Sequence, residues 1–229
     1  VKDRLVEKAG VSPGDALFII SYLRYKTEQI LGQLRLLLGR EHGLIRQSEY
    51  RQLWVTHFPM FEFDAQLGRF NAMHNIVSHP VESDLPLIDA GFSSTLHGTD
   101  PNHPWRRARA MQYDLVINGW EIGSGGQRIN RRELQEKVLE ILGIDRQRAD
   151  RMFGFLLRAL EYGAPPHAGV ALGLDRLVAI ICRRSSIRDV IAFPKTTNAS
   201  SLMDDAPSYL DPEQLEELGL IIRNDTPEQ

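Results

Sequence analysis

Asp114 and Glu121 are the two residues whose type and spacing most directly suggest chemistry. They flank Asn118-Gly119, a dipeptide between two apolar runs that is a strong signal for a β-hairpin with a type I′ turn. A two-residue loop would place Val116 opposite Glu121, so the two carboxylates would be diagonal neighbours on one face. Adjacent carboxylates repel unless a cation lies between them, and phosphate-bound Mg²⁺ commonly uses one or two carboxylates. The hairpin therefore predicts a metal site, with a pair of solvated acids as the alternative.

A glycine-rich stretch, residues 123–126, follows the hairpin directly and is itself followed by Arg128. Small residues let a ligand approach the backbone, and a guanidinium group can bind a carboxylate or phosphate through two parallel hydrogen bonds. This combination favours a small anionic substrate. The alternative for Arg128 is a structural ion pair with a nearby carboxylate.

A second candidate site covers residues 169–176, with the sequence GVALGLDR. The pattern predicts a short buried strand over 170–174 and a helix from Asp175 to about Arg183. Arg176 would then lie where strand and helix meet, and a phosphate there would also meet the positive end of the helix dipole. The spacing differs from that of a dinucleotide-binding loop, because no second Gly-x-x-Gly follows.

The remaining reactive residue types give weaker signals. The histidines lie at positions 42, 57, 74, 79, 97, 103 and 167, without the spacing of a zinc site. His74 falls on a predicted extended segment, where a histidine is more often a core or surface residue than a ligand contact. Cys182 is the only cysteine, so the chain has no internal disulfide and fits a reducing, cytoplasmic compartment. Its apolar helical surroundings predict a small core residue.

The composition is that of an ordinary globular protein. The chain has 229 residues, of which 42% are hydrophobic and 25% charged, and a net charge of −3. This charge gives no overall attraction for nucleic acid, so such a contact would have to be local, for example along residues 105–109. No apolar run approaches the length of a membrane span, and no signal peptide is visible.

Hydrophobic periodicity predicts the elements that position these sites. Strands are expected over 16–20, 53–63 with an interruption at Pro59, 70–77 and 187–193. Helices are expected over 27–38, over 134–142, and after a cap at Asp145 with Met152, Phe155, Leu156, Ala159 and Leu160 buried. A last helix, capped by Asp211, would turn Leu215 and Leu218 inward. Residues 78–110 are expected to form a long irregular connection, and the order of elements predicts an α+β fold with an antiparallel sheet.

The chain divides in sequence near residues 43–49. Residues 1–45 form a piece too small to bury a core alone, and residues 46–229 form the main domain. The chain starts at Val1 and enters an element almost at once, which predicts a fragment of a longer protein.

Several motifs in order resemble the class II aminoacyl-tRNA synthetases. Residues 169–177 (GVALGLDRL) resemble motif 3 of that class. The bacterial-type aspartyl-tRNA synthetases are resembled more specifically by 113–122 (YDLVINGWEI), 162–169 (YGAPPHAG), 187–195 (IRDVIAFPK), 53–55 (LWV) and 58–62 (FPMFE). The resemblance covers nearly the whole chain. The GLDRL form points away from asparaginyl relatives, which tend to carry a glutamate before the arginine.

This resemblance implies a fold, a reaction and a set of site residues. It implies part of the antiparallel class II sheet with flanking helices, preceded by the tail of a small α/β insertion domain over residues 1–45. Asp114 and Glu121 would hold Mg²⁺; Arg128, His74, Gly123 and Gly125 would bind aspartate; Glu121, Gly173, Leu174, Asp175 and Arg176 would bind ATP. Arg176 and Glu121 would be the catalytic pair. The implied partners are ATP, L-aspartate, the tRNA acceptor end and a second subunit in a homodimer, with no membrane.

Departures and absences qualify this assignment. The family usually has His-His-Pro-Phe-Thr where this chain has His74 followed by Asn-Ile-Val-Ser, and Gly-Gly-Gly-Ser where it has residues 123–127 (GSGGQ). Nothing in the chain resembles motif 1, motif 2 or the anticodon-binding domain, so the isolated chain is predicted to be inactive. A non-catalytic paralogue that binds a nucleotide, an amino acid or a partner protein is one alternative, and an amide-forming ligase on the same scaffold is another.

Overall fold

The computed structural model describes residues 2–22, 24–46 and 48–222. The chain separates into two compact units, residues 1–50 and 51–229. The assignment of the first unit to an insertion domain stays a prediction.

The first unit contains two helices, α1 (Lys2–Ala9) and α2 (Arg24–Glu41). The expected helix over 27–38 is confirmed, although it continues past Gly39 and ends before Gly43, which has a φ of +61°. The strand expected over 16–20 is wrong: these residues have no regular structure, and most are exposed. No strand among the described residues pairs with this segment.

The second unit begins with three strands, β1 (Gln52–Thr56), β2 (Phe61–Asp64) and β3 (Arg69–Ala72). The expected break at Pro59 separates the first two. Residues 78–110 are not the irregular connection that the sequence predicted. They contain a 3-10 helix (Glu82–Asp84) and the helices α3 (Leu85–Phe92) and α4 (Pro104–Arg107). Both α3 and α4 have a proline in the first turn, where the missing N–H costs no hydrogen bond, so the prolines of this stretch are compatible with helices.

The remaining elements follow in the expected order with one exception. They are β4 (Gln112–Ile117), β5 (Trp120–Gln127), α5 (Arg132–Ile141), α6 (Arg146–Glu161), β6 (Ala168–Leu172), α7 (Leu174–Ile181), a 3-10 helix (Ile187–Asp189) and α8 (Pro212–Glu217). The strand expected over 187–193 is wrong. Ser186 caps the 3-10 helix that replaces it, and Phe193 has a φ of +55°, which is incompatible with an extended strand.

The main sheet is antiparallel with the strand order β1-β4-β5-β6, and β2 pairs with β3 in a separate hairpin. The predicted hairpin of β4 and β5 is confirmed. Asn118 and Gly119 have φ values of 50° and 83°, as a type I′ turn requires, and Val116 lies opposite Glu121. The antiparallel sheet with flanking helices confirms the α+β fold class.

The main core lies between the β2–β3 hairpin and the helices α3 and α5, and includes Phe61, Phe70, Ile88 and Val138. Helix α6 packs against α5 through Ala149 and Leu157.

The buried face predicted for α6 is largely wrong. Met152 and Phe155 are 47% and 72% exposed, whereas Leu157 is fully buried and only Leu160 of the expected set lies inside. The helix carries two apolar stripes, and the one that includes Ala149, Phe153 and Leu157 packs against α5.

Three further burial expectations are wrong. Strand β6 is exposed along its whole length, because it lies at the edge of the sheet. Cys182 is exposed, because it is the C-cap residue that follows the last residue of α7. Asp211 caps α8 as expected and forms a capping box with Gln214. Leu215 is half-buried, but Leu218 is 65% exposed because it follows the last helical residue.

Candidate functional site

A cavity of about 410 Å³ lies where β5 ends beside β6. Its lining is polar or small throughout and consists of Asn75, Ser78, Ser124, Gly125, Gly126, Arg128, Gly169, Val170 and Ala171. The cavity therefore joins the glycine-rich stretch and Arg128 to the start of the second predicted site, which lies far away in the sequence.

Backbone hydrogen bonds extend the sheet to form this cavity. Ser78 and Arg128 form an antiparallel bridge, and the amide of Ile129 donates to the carbonyl of Val77 at 2.9 Å. On the other side, the amide of Arg128 donates to the carbonyl of His167 at 2.9 Å. Arg128 is thus fixed between the segment 75–78 and the approach to β6.

The glycines of β5 are needed for packing as well as for space. A Cβ atom at Gly125 would overlap the carbonyl oxygen of Gly169 and lie 2.8 Å from the ring of Tyr113. Tyr113 crosses this position and donates from its hydroxyl to the same carbonyl at 3.1 Å. A Cβ atom at Gly123 would lie 2.6 Å from Leu172, so Gly123 serves strand packing and does not line the cavity.

The side chain of Arg128 is exposed and carries no ion pair with any residue that the structure describes. The structural ion pair considered as its alternative is therefore not found. A guanidinium group without a carboxylate partner, at the wall of a cavity lined by small residues, can bind an anion through two hydrogen bonds.

The two hairpin carboxylates have different surroundings. Asp114 is 9% exposed and accepts a hydrogen bond of 2.6 Å from the hydroxyl of Ser124. Glu121 is about half exposed. A β-bulge lies between Leu115 and Val116, so Asp114 lies opposite Ser124, one residue further along β5 than a regular hairpin would place it.

Glu121 meets Arg176, which the sequence placed in the same ATP site. The guanidinium of Arg176 donates to the carbonyl oxygen of Glu121 at 2.6 Å and lies 3.6 Å from its carboxylate. Gly173 precedes the first turn of α7, and its amide donates to the carbonyl of Ile122 at 2.7 Å. This bond fixes the start of α7 against β5, while Leu174 and Asp175 are exposed on the first turn.

His74 is not brought into the cavity. Its ring is exposed and packs edge-to-face on Phe58 with a centroid distance of 4.5 Å. The cavity is lined instead by Asn75 and Ser78, which the sequence reading missed. The available signal was local: an asparagine that accepts from the amide two residues later is typical of an Asx turn, and the amide of Val77 donates to Asn75 in this way.

An ion pair between the buried Asp84 and the exposed Arg109 fixes the chain next to the cavity segment. Asp84 is 6% exposed and accepts two bonds from the guanidinium of Arg109, at 2.8 and 3.0 Å. The hydrogen bonds from Arg109 lower the pKa of the Asp84 carboxyl. The amide of Val81 also donates to the carbonyl of Arg109. In the segment 105–109, considered above for a nucleic-acid contact, Arg109 is therefore paired with Asp84 and Trp105 packs against the core.

The fit of a metal ion can be judged from the donor atoms. In the described part of the chain no cluster of three or more histidine, cysteine or acidic residues could hold a metal. Asp114 and Glu121 share one face of the sheet, and Oδ2 of Asp114 has no hydrogen-bond partner among these residues. Two carboxylates are enough for an Mg²⁺ ion whose other ligands are phosphate oxygens and water.

Comparison with known proteins assigns the family. Residues 14–197 match the model of the class II tRNA synthetases (D, K and N). The aspartate–tRNA ligase of Lysinibacillus sphaericus is 45% identical over 219 residues, which cover 96% of this chain and 35% of the relative. The aspartate–tRNA(Asp/Asn) ligase of Lachnoclostridium phytofermentans is 43% identical over 98% of this chain and 36% of the relative. The chain belongs to the class II tRNA synthetase family.

One solved structure also resembles this chain at low sequence identity. The aspartyl-tRNA synthetase of Entamoeba histolytica overlays 86% of this chain and 30% of its own with a TM-score of 0.45 and 21% identity. The chain spans about a third of the length of the curated relatives that it matches. Within the described residues, no helix is both long and apolar enough to cross a membrane.

Proposed function

We propose that this chain forms part of an aspartate–tRNA ligase and that the cavity beside Arg128 binds L-aspartate. The observation that carries the proposal is the guanidinium of Arg128, which has no ion pair among the described residues and lies at the wall of a cavity of about 410 Å³ lined mainly by glycines and other small residues. This volume suits a small amino acid, and the planar fork of arginine matches the side-chain carboxylate. The relatives at 43–45% identity, which are aspartate–tRNA ligases, supply the substrate.

The corner formed by Glu121 and Arg176 is the proposed ATP site. Arg176 would bind the terminal phosphates, and Gly173 to Asp175 would line the nucleotide. Asp114 and Glu121 would hold Mg²⁺, which neutralises phosphate charge when it is bound. The pairing of Arg176 with Glu121 supports this assignment, because both groups would then meet the triphosphate together.

The proposed reaction has two steps. A carboxylate oxygen of aspartate attacks the α-phosphorus of ATP, the bond to the β-phosphate oxygen breaks, and pyrophosphate leaves with formation of aspartyl-adenylate. A hydroxyl at the tRNA 3′ end then attacks the activated carbonyl, and AMP leaves with its electron pair. The side chains of this chain would act by positioning the carboxylate at Arg128 and by balancing charge at Arg176.

The proposal extends to the rest of the protein, to its oligomeric state and to its cellular location. Because the chain spans about a third of its relatives, we propose that the other two thirds are needed for catalysis and that the isolated chain is inactive. A homodimer and a cytoplasmic location are part of the same proposal. The alternatives of a non-catalytic paralogue and of an amide-forming ligase gain no support from any observation.

Aspartate-dependent exchange between pyrophosphate and ATP tests this function. The complete reading frame that contains this chain should catalyse the exchange with L-aspartate and not with L-asparagine or L-glutamate. The variant Arg128→Leu should lower kcat/KM for aspartate by about a hundredfold, because the substrate carboxylate loses two charge-assisted hydrogen bonds. Arg107→Leu removes an exposed arginine of α4 and is the matched control. Exchange that does not depend on aspartate, or that Arg128→Leu leaves unchanged, would refute the proposal.

A further inference from the structure

A hydrogen-bonded network at the cavity wall fixes the orientation of the Asn75 amide. The backbone amide of Val77 donates to Oδ1 of Asn75 at 3.1 Å, and the hydroxyl of Ser78 donates to the same oxygen at 2.9 Å. A backbone N–H can only donate, so the atom that faces it must be the amide oxygen. The amide nitrogen of Asn75 is then the atom that donates to Oε1 of Gln112 at 3.3 Å.

One N–H of Asn75 remains without a partner in the part of the chain that the structure describes. A primary amide carries two N–H groups, and Gln112 accepts from one of them. Asn75 lines the same cavity as Arg128 and Ser78. The cavity therefore offers an anionic ligand two groups: the guanidinium cation of Arg128 and the oriented, neutral N–H donor of Asn75.

Buried groups hold this donor in place. Gln112 is 5% exposed, and Gln135 of α5 is 1% exposed. The amide nitrogen of Gln135 donates to the carbonyl of Ile76 at 2.7 Å, directly after Asn75. Reorienting Asn75 would leave buried polar atoms unpaired, which is costly, so its free N–H is ordered before a ligand arrives.

We infer that Asn75 is an additional aspartate-binding residue, whose free N–H donates a hydrogen bond to a carboxylate of the bound amino acid. Gln112 and Gln135 are positioning residues that act through the segment 75–78. This inference rests on the proposed function, because it takes L-aspartate as the ligand. It goes beyond that proposal by placing a neutral hydrogen-bond donor in the cavity. The neighbouring residue His74, which the sequence had suggested for aspartate binding, does not line the cavity.

The variant Asn75→Asp separates ligand binding from the structural role. Aspartate at this position keeps an acceptor for Val77 and Ser78, and the Gln112 amide can turn over to donate to its second carboxylate oxygen, so the segment stays in place. It removes the donor and sets a negative charge beside an anionic substrate. In the complete protein, KM for L-aspartate in pyrophosphate exchange should rise at least about tenfold, the lower range for a hydrogen bond to a charged group, with KM for ATP unchanged. Asn102→Asp makes the same charge change at an exposed position outside the cavity and should leave both constants unchanged.

A second variant and a binding measurement make the test decisive. Gln112→Met removes the acceptor without adding charge; it should raise KM for aspartate while kcat at saturating aspartate stays the same. If Asn75→Asp does not fold, an unchanged KM in Gln112→Met overturns the inference.

Calorimetry with L-aspartate separates the two levels of the proposal. Equal aspartate affinity in wild type and Asn75→Asp, with loss of affinity in Arg128→Leu, would overturn the role of Asn75 and leave the proposed function standing. Absence of aspartate binding to the wild-type protein would overturn both.

Discussion

The cavity beside Arg128 and the proposed phosphate corner lie on the same hairpin but are built differently. The residues behind the cavity wall, Gln112 and Gln135, are almost fully buried, and each is committed to a hydrogen bond with the segment 75–77. At the other site Glu121 and Arg176 are each about half exposed and mainly contact one another. One site is fixed in advance by the fold, and the other consists of surface charges that can change partner when a ligand binds.

This difference predicts where substitutions should affect stability and where they should affect only ligand binding. Preorganised groups contribute specificity because their geometry is set before binding. A half-exposed ion pair contributes little to folding and is free to serve a ligand.

The largest effect is expected at Gly125, on the fixed side. Gly125→Ala would drive a methyl group into the carbonyl oxygen of Gly169 and should lower the free energy of unfolding by about 3 kcal/mol, at the upper end for overpacking. Gly169→Ala is the matched control, because its methyl group would meet nothing within 4 Å and should change stability by less than about 1 kcal/mol. Urea unfolding of both variants makes the comparison, and equal midpoints would show that β5 and β6 are not packed this closely.

A smaller effect is expected at Asp84, which fixes the chain next to the cavity. Asp84→Asn should cost about 1–3 kcal/mol through the loss of its charge-assisted bonds with Arg109. Because the pKa of Asp84 is lower in the folded protein, its contribution is present above the unfolded pKa and is lost as the pH falls through the folded one.

The pH dependence supplies the check on that pair. The difference in stability between wild type and Asp84→Asn should be constant near neutral pH and shrink as the pH falls below about 4. Thermal unfolding across this range measures it. A difference that grows on acidification would mean that the carboxyl is not stabilised in its charged form.

The smallest effect on stability is expected at Arg176, on the open side. Arg176→Ala should change the free energy of unfolding by less than about 1 kcal/mol, as for other exposed ion pairs. In the complete protein it should raise KM for ATP by at least about tenfold and leave KM for aspartate unchanged. Steady-state exchange kinetics distinguish these constants, and an equal rise in both would remove the distinction between the two sites.

Local signals were sufficient for the hairpin and for the helix ends. The Asn118-Gly119 turn and the caps at Asp145 and Asp211 depend on a few neighbouring residues, and each is found where the sequence placed it. The start of α7 next to Arg176 was predictable for the same reason.

Other features depend on contacts between distant residues and could not be predicted locally. The inward face of α6 depends on which of two apolar stripes α5 covers. The bulge in the hairpin depends on strand pairing. The acceptor for the amide nitrogen of Asn75 is Gln112, which lies 37 residues away in the sequence.

A crystal structure of the complete protein with L-aspartate tests the central claim most directly. We expect the side-chain carboxylate of aspartate to bind the guanidinium of Arg128, with two N···O distances of about 2.7–2.9 Å. Aspartate bound away from this cavity, or Arg128 engaged by a carboxylate of the protein itself, would contradict it.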